Sequence, residues 1–375
     1  MNTFLEKLGK IQSNFDNELR EMLSKIERCK KLAADNAKKF NTELTKYHSK
    51  QEEKIRYVFD APDINHYFTG RTRQLDDLQR ILNLGDTGLE RKVCVAAVCG
   101  LGGVGKTSLV TEYAHRMKEY YQGGVYWFSA EDDTFFEKSV NETAWNLGAL
   151  LGTFYLTLRE TVTRIGQTSK PCLIVLDCLD QLDLSPHVLN FLTLVSRQSF
   201  SAAVVVMTRR NENKLVDEIS NLRKDRCFSL KCLDKEEAKQ FIFCRTELIR
   251  DDNTNSVAES LVKELGGLPL ALEQAGACIK ALRCSLSEYL EQFQTERLKL
   301  LESQKAKPVS VYESPERLAV HTTWLLNIRY IQESRHGMPA IRLMNAFAFL
   351  NPSEIEEELV NVGERPIEDQ EFRDR

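Results

Sequence analysis

The residues with the most specific chemistry lie in one glycine-rich stretch, residues 100–107, which reads GLGGVGKT. It fits the pattern G-x-x-x-x-G-K-[ST], whose glycines let backbone N–H groups converge on phosphate oxygens. Lys106 would reach the β- and γ-phosphates, and the Thr107 hydroxyl would bind Mg²⁺. A chance glycine-rich turn is disfavoured, because an apolar strand precedes the stretch and an amphipathic helix follows it. The predicted phosphate-binding residues are Gly100, Gly102, Gly103, Val104, Gly105, Lys106, Thr107 and Ser108.

Two further candidates follow apolar runs later in the chain. The run Cys172–Asp177 ends in an acid about seventy residues after the loop. An Asp at the carboxyl end of such a strand lies beside the loop and holds Mg²⁺ through water, although many strands end in Asp. Arg209 follows the apolar run Val204–Met207 and is a candidate sensor of the γ-phosphate. The plain alternative is a solvated arginine at a strand end.

The elements that must position these residues lie between residues 92 and 232. Strands apolar on both faces, alternating with helices, indicate a parallel sheet covered on each side. The apolar runs are Val93–Cys99, Val125–Phe128, Cys172–Leu176 and Ala203–Met207. A helix is predicted at residues 72–83, ending at the turn residues 85–88. From residue 233 only helices are predicted, with capping signals at Asp234, Ser285 and Ser314.

Residues 1–58 read as one long charged helix, with apolar positions spaced mostly four and three apart in a heptad seam. Packing on its own protein and pairing with a partner helix both remain open.

The chain of 375 residues carries a net charge of −4, which gives no reason to expect nucleic acid or an acidic membrane as partner. No signal peptide is visible, and no apolar run approaches about 18 residues. The ten scattered cysteines indicate reduced thiols in a cytoplasmic protein.

Five motifs in order resemble the NB-ARC class of signal-transduction ATPases, which includes plant disease-resistance proteins and the apoptotic protease-activating factor. The resemblance runs from about Phe68 to about Ile355. Besides the phosphate loop, the matching stretches are Phe68–Arg71 (the motif that collars adenine), Met207–Arg209 (the first sensor), Gly266–Leu272 (the G-L-P-L motif) and Leu343–Ile355 (the start of a winged helix).

The resemblance implies an α/β P-loop NTPase core, a parallel sheet covered by helices, followed by a helical domain and a partial winged-helix domain, behind the N-terminal long helix. The implied domains are 1–58, 59–232, 233–303 and 304–375. The implied ligands are ADP or ATP with Mg²⁺ at Thr107 and Asp177, and the adenine contacts are Phe68, Gly70, Arg71 and Pro269. ADP would clamp the domains, and exchange for ATP would permit self-association in innate-immunity or cell-death signalling.

The chain departs from this pattern at several points. Where the family often has a second acid after the metal-binding Asp, this chain has Cys178. A negative phosphate nearby raises a thiol's pKa, so cysteine is a poor base for water. The predicted catalytic residues are therefore Asp177, Asp180 and Arg209, with Asp180 as base and slow ATP hydrolysis. The family's late His-containing motif and its sensor-repeat array have no counterpart, which suggests a fragment or a short isoform.

Two other functions compete with the switch. One is a nucleic-acid-acting ATPase, disfavoured by the acidic balance and by the lack of a basic, aromatic-rich stripe. The other is a non-enzymatic scaffold that holds ADP and presents the N-terminal helix to an unknown protein partner. Intact Lys106, Thr107 and Asp177 argue for nucleotide binding but do not separate a scaffold from a switch.

Overall fold

A computed structural model describes residues 57–82, 93–149, 151–168, 170–181, 183–198, 200–304, 315–334, 336–348 and 350. Four earlier residues, Arg28, Lys31, Lys38 and Lys39, are also described and are helical. The predicted N-terminal helix of residues 1–58 does not extend to its predicted end, because Tyr57 and Val58 are described and are not helical. Its remaining residues, the turn at 85–88 and the winged-helix stretch after residue 350 lie outside the described residues.

The chain divides into two compact units, each of which is described by itself. The first, here called the sheet unit, comprises Met1–Pro62, Arg80–Val98 and Ala114–Cys227. The second, here called the loop unit, comprises Asp63–Gln79, Cys99–Tyr113 and Phe228–Arg375.

The sheet has five strands in the order β2-β3-β4-β1-β5. Their bounds are β1 Val93–Cys99, β2 Val125–Ser129, β3 Cys172–Asp177, β4 Ala202–Thr208 and β5 Leu222–Ser229. Strand β3 pairs in parallel with both neighbours, with Val125 opposite Leu173 and Cys172 opposite Ala202. Strands β1 to β4 are almost wholly buried, so the four predicted runs are strands. The predicted α/β P-loop fold class is confirmed.

Strand β5 was not among the predicted strands. It is an edge strand, and its first half carries the exposed side chains of Arg223, Lys224 and Asp225 instead of an apolar run. Charged side chains on an edge strand discourage pairing with other chains. The other edge, β2, is flanked by residues 58–60: Val125 N–H donates to the Val58 carbonyl at 2.9 Å, and Asp60 N–H donates to the Val125 carbonyl at 3.0 Å.

Helix α1, Thr72–Leu82, precedes β1. The helices between the strands are α2 Lys106–Arg116, α3 Asp133–Asn146, α4 Phe154–Gly166, α5 Pro186–Ser196 and α6 Glu212–Glu218. In the sheet unit, Phe128 of β2 meets Phe136 of α3 and Phe191 of α5, with ring centroids 5.0 to 6.2 Å apart. Aromatic side chains bury a large apolar area, so this cluster fixes both helices on the sheet.

After the sheet, the described residues of the loop unit form six helices. They are α7 Lys235–Thr246, α8 Asp252–Glu264, α9 Pro269–Leu282, α10 Leu286–Gln304, α11 Pro315–Glu333 and α12 Gly337–Phe347. Asp234 begins α7 through a complete capping box with Glu237. Ser285 Oγ accepts the N–H of Glu288 at 3.2 Å, so the second predicted cap is also present. Ser314 lies outside the described residues, but α11 begins at the Pro that follows it.

Two observations concern the environment of the chain. Across the described residues, no helix is both long and apolar enough to cross a membrane. The nine described cysteines are free thiols.

Candidate functional site

The glycine-rich stretch forms the turn between β1 and α2. Strand β1 ends at Cys99 and α2 begins at Lys106, so the end of a strand leads through the loop to a helix N-terminus. Gly103 has φ 76° and Gly105 has φ 92°, values that L-residues with a Cβ rarely adopt. Such a turn brings backbone N–H groups and the positive end of the helix dipole to one place, which suits an anion.

Lys106 turns back along this loop. Its Nζ donates to the carbonyl of Gly100 at 2.9 Å and to the carbonyl of Leu101 at 3.1 Å. Thr107 is exposed beside it and Ser108 is half-buried. An ammonium group and a hydroxyl at the start of the helix are the groups that phosphate and Mg²⁺ would need.

The side chain of Arg71 contacts the glycine-rich loop, residues 100–107. The residue is only 4% exposed, and its Nη2 donates to the carbonyl of Val104 at 3.1 Å. Burial lowers the pKa of the guanidinium, and the Glu237 carboxylate opposes that shift. Arginine remains charged across the physiological range, so a buried cation lies against the phosphate loop. The same segment contains Phe68, which is half-buried, and Gly70 with φ 68°.

The first residues of helix α9 also contact the glycine-rich loop. Leu270 N–H donates to the carbonyl of Gly103 at 3.1 Å. A Cβ placed on Gly105 would lie 3.8 Å from Cγ of Pro269, the first residue of the helix. Gly267 has φ 63°, and a Cβ there would lie 2.5 Å from the Leu233 carbonyl oxygen. The stretch predicted to contact the base from the helical part thus lies directly on the phosphate loop.

Within the sheet unit, the predicted catalytic residues follow β3 and β4. Asp177 ends β3, and its Oδ1 accepts the N–H of Cys178 at 2.8 Å. Cys178 adopts φ 61°, a conformation that costs energy for a residue other than glycine. Burial and the Asp177 carboxylate raise the pKa of the Cys178 thiol to about 12. A neutral thiol therefore follows the metal-binding candidate at physiological pH, in the place where the related family often has an acid.

Asp180 and Arg209 contact each other. Asp180 Oδ1 accepts the Arg209 N–H at 2.6 Å, and Oδ2 lies 3.0 Å from Arg209 Nε. The Arg209 side chain is 65% exposed, whereas that of Arg210 is 7% exposed and is bound by Glu218, with one Nη1–Oε2 distance of 3.0 Å. Of the two arginines after β4, Arg209 is therefore the exposed one and Arg210 the buried one.

The structure thus assembles the predicted site residues in two groups. Phe68, Gly70, Arg71, the phosphate loop and Pro269 are in the loop unit, while Asp177, Asp180 and Arg209 are in the sheet unit. Two contacts to the loop unit's group were not predicted: Glu237 on the backbone of Arg71, and Leu270 on Gly103. The capping pattern at Asp234 points to Glu237, but only as a partner within its own helix.

Known proteins with similar sequences carry related names. A nucleotide-binding leucine-rich repeat (NLR)-like protein of Hyaloscypha variabilis is 27% identical over 304 residues, which cover 72% of this chain and 28% of that protein. A probable disease resistance protein of Arabidopsis thaliana is 24% identical over 279 residues, 69% of this chain and 27% of that protein. This chain is similar to NB-ARC proteins. The resemblance predicted from the motifs is confirmed, although the chain spans under a third of the length of these relatives.

Comparisons with family models and with solved structures are less informative. No family model matches the chain. A STAND protein with a tetratricopeptide repeat sensor from Pyrococcus horikoshii is 18% identical, covers 72% of this chain and 41% of that chain, and has a TM-score of 0.39. Cdc6p of Pyrobaculum aerophilum is 12% identical, covers 79% of this chain and 88% of that chain, and has a TM-score of 0.44. Scores this low carry no argument about this chain.

Proposed function

We propose that this NB-ARC-like chain is an adenine-nucleotide switch in which ADP holds the loop unit in a resting arrangement and ATP releases it. The observation that carries the proposal is the contact of α9 with the phosphate loop, where Leu270 N–H donates to the Gly103 carbonyl. A ligand bound in the loop would touch both segments. Because ATP brings a γ-phosphate to the loop and ADP does not, each nucleotide can favour a different arrangement of the two segments.

Within the loop, the residues fit a nucleotide. The glycine backbone and the start of α2 suit phosphate oxygens, and Lys106 supplies a positive charge. Pro269 and the segment Phe68–Arg71 are the proposed contacts to adenine, as the NB-ARC resemblance implies.

The proposed metal ligands are the Thr107 hydroxyl and the Asp177 carboxylate. Oxygen groups of this kind suit Mg²⁺, which binds through one or two protein ligands together with phosphates. In the described parts of the chain, no group of three or more His, Cys, Asp and Glu side chains is arranged to hold a metal by itself. A magnesium ion bound here would neutralise phosphate charge, and Asp177 would orient it.

We further propose that hydrolysis is slow. Cys178 is a neutral thiol, and both carboxylate oxygens of Asp180 are engaged by Arg209. Neither group is well prepared to take a proton from water, because the thiol is not a thiolate and the oxygens of Asp180 already contact Arg209. A switch with weak turnover would hold its nucleotide for long periods, which suits a signalling role of the innate-immunity or cell-death kind. Free thiols suit a cytoplasmic location.

The first test is to denature the purified protein and identify the released nucleotide by chromatography. About one ADP per chain is expected, together with its loss in Lys106→Ala. Lys118→Ala serves as a matched control, because Lys118 lies over the ring of Phe59 in the sheet unit. ADP retained by Lys106→Ala would refute the phosphate-loop assignment. Recovery of no nucleotide from the natural chain, with binding only of added ATP, would refute the resting ADP state.

A further inference from the structure

Glu237 lies at the meeting point of two helix N-termini. Its Oε1 accepts the backbone N–H of Arg71 at 2.8 Å, and Arg71 precedes the first residue of α1. Its Oε2 accepts the backbone N–H of Asp234 at 3.2 Å, and Asp234 caps α7. Helix N-termini attract negative charge, and the first turn of α1 has no acidic residue of its own. One carboxylate from α7 therefore serves both helices.

The backbone at this point is shaped around that carboxylate. Gly70 and Arg71 have φ values of 68° and 64°. A Cβ on Gly70 would lie 2.5 Å from Glu237 Oε1, so a side chain there would displace the Glu237 side chain. The left-handed turn at Gly70 and Arg71 is therefore coupled to the position of Glu237.

This coupling continues into the phosphate loop through the side chain of Arg71. Its Nη2 donates to the Val104 carbonyl at 3.1 Å. The peptide bond between Val104 and Gly105 is trans and planar, so a carbonyl turned toward Arg71 directs the Gly105 N–H away from it. Backbone N–H groups of this loop are the ones that the sequence pattern assigns to phosphate.

We propose that Glu237 is a positioning residue: through Arg71 it sets the direction of a phosphate-binding N–H, so that ADP affinity depends on the seating of helix α7. This inference rests on the proposed nucleotide function. Helix α7 is thereby a control point at which a partner or a neighbouring segment changes nucleotide affinity without touching the nucleotide.

The test compares Glu237→Ala with Asp234→Ala, using a fluorescent N-methylanthraniloyl derivative of ADP. Both substitutions break the capping box of α7, because Asp234 Oδ1 accepts the Glu237 N–H at 2.9 Å. Only Glu237→Ala also removes the acceptor from Arg71. We expect Kd for the fluorescent ADP to rise about tenfold in Glu237→Ala and to stay within about twofold in Asp234→Ala. Both variants should unfold at lower urea concentrations than the natural chain.

A second pair of variants checks the route through Arg71. Arg71→Lys should raise Kd by a similar factor, and the double variant Glu237→Ala with Arg71→Lys should bind no more weakly than the weaker single variant. Equal loss of affinity in Glu237→Ala and Asp234→Ala would overturn the proposal, since capping alone would explain it. Multiplying effects in the double variant would also overturn it. If the natural chain does not bind the fluorescent ADP, it is the proposed nucleotide function that fails.

Discussion

Replacing Gly103 by alanine tests whether helix α9 is held on the phosphate loop by a close backbone contact. Gly103 has φ 76°, where an L-residue costs about 1–2 kcal/mol. The new Cβ would lie 2.7 Å from Cβ of Leu270 and 2.9 Å from its Cδ2. The exposed end of the leucine can swing away, but its Cβ is fixed to the helix backbone. The helix must then retreat by about 1 Å to reach ordinary contact, which for carbon atoms is about 3.5–4.0 Å.

That retreat stretches the bond from Leu270 N–H to the Gly103 carbonyl beyond its present 3.1 Å, with a loss of about 1 kcal/mol. The backbone and contact effects together predict that Gly103→Ala lowers the free energy of unfolding by about 2–3 kcal/mol. Urea unfolding followed by circular dichroism measures this for Gly103→Ala, Leu270→Gly and the double variant. In the Leu270→Gly background only the backbone cost remains, so a coupling of about 1 kcal/mol is expected. Strict additivity would refute the contact between α9 and the loop.

Three further outcomes are expected. Asp177→Ala should abolish the dependence of ATP affinity on Mg²⁺ in a titration with and without chelator; unchanged dependence would mean that another acid holds the metal. Burial raises the pKa of Asp60 from 3.8 to about 6, so the folded state binds this proton more tightly and loses stability as pH rises from about 4 to 6. The free energy of unfolding of Asp60→Asn should therefore rise relative to that of the natural chain across that window and level off above it. A difference in urea unfolding that stays constant with pH would contradict the burial of Asp60. Arg210→Ala should destabilise the chain by about 3 kcal/mol, because it leaves Glu218 partly buried without its partner, whereas exposed Arg209→Ala should cost under about 1 kcal/mol; equal melting temperatures would contradict the difference in burial.

Local patterns in the sequence predicted the elements that depend on local chemistry. Strands β1 to β4 are buried on both faces and therefore read as continuous apolar runs, and the box at Asp234 needs only residues of its own helix. Strand β5 was not predicted because its sequence contains no continuous apolar run. An edge strand tolerates charged side chains at positions where a central strand needs apolar ones.

The site was predictable only where one segment contains its chemistry. The phosphate loop is such a segment, since its glycines, lysine and threonine are consecutive. The contact of Glu237 with Arg71 joins residues 166 positions apart, and the sequence around either residue gives no indication of the other. Arg209 and Arg210 are chemically identical, so only the structure shows that the side chain of Arg209 is 65% exposed and that of Arg210 is 7% exposed.

The short stretch beside β2 has a mechanical consequence. Val58 and Asp60 run parallel to that strand and share both backbone groups of Val125, while the ring of Phe59 packs 4.9 Å from the imidazole of His115. A pull on the preceding chain along the strand would strain both hydrogen bonds at once in shear, whereas a sideways pull would peel them one at a time. His115 lies in the last turn of the helix that begins at Lys106. Tension on the N-terminal segment is therefore resisted most strongly along the strand direction, and it is delivered to the C-terminal end of α2.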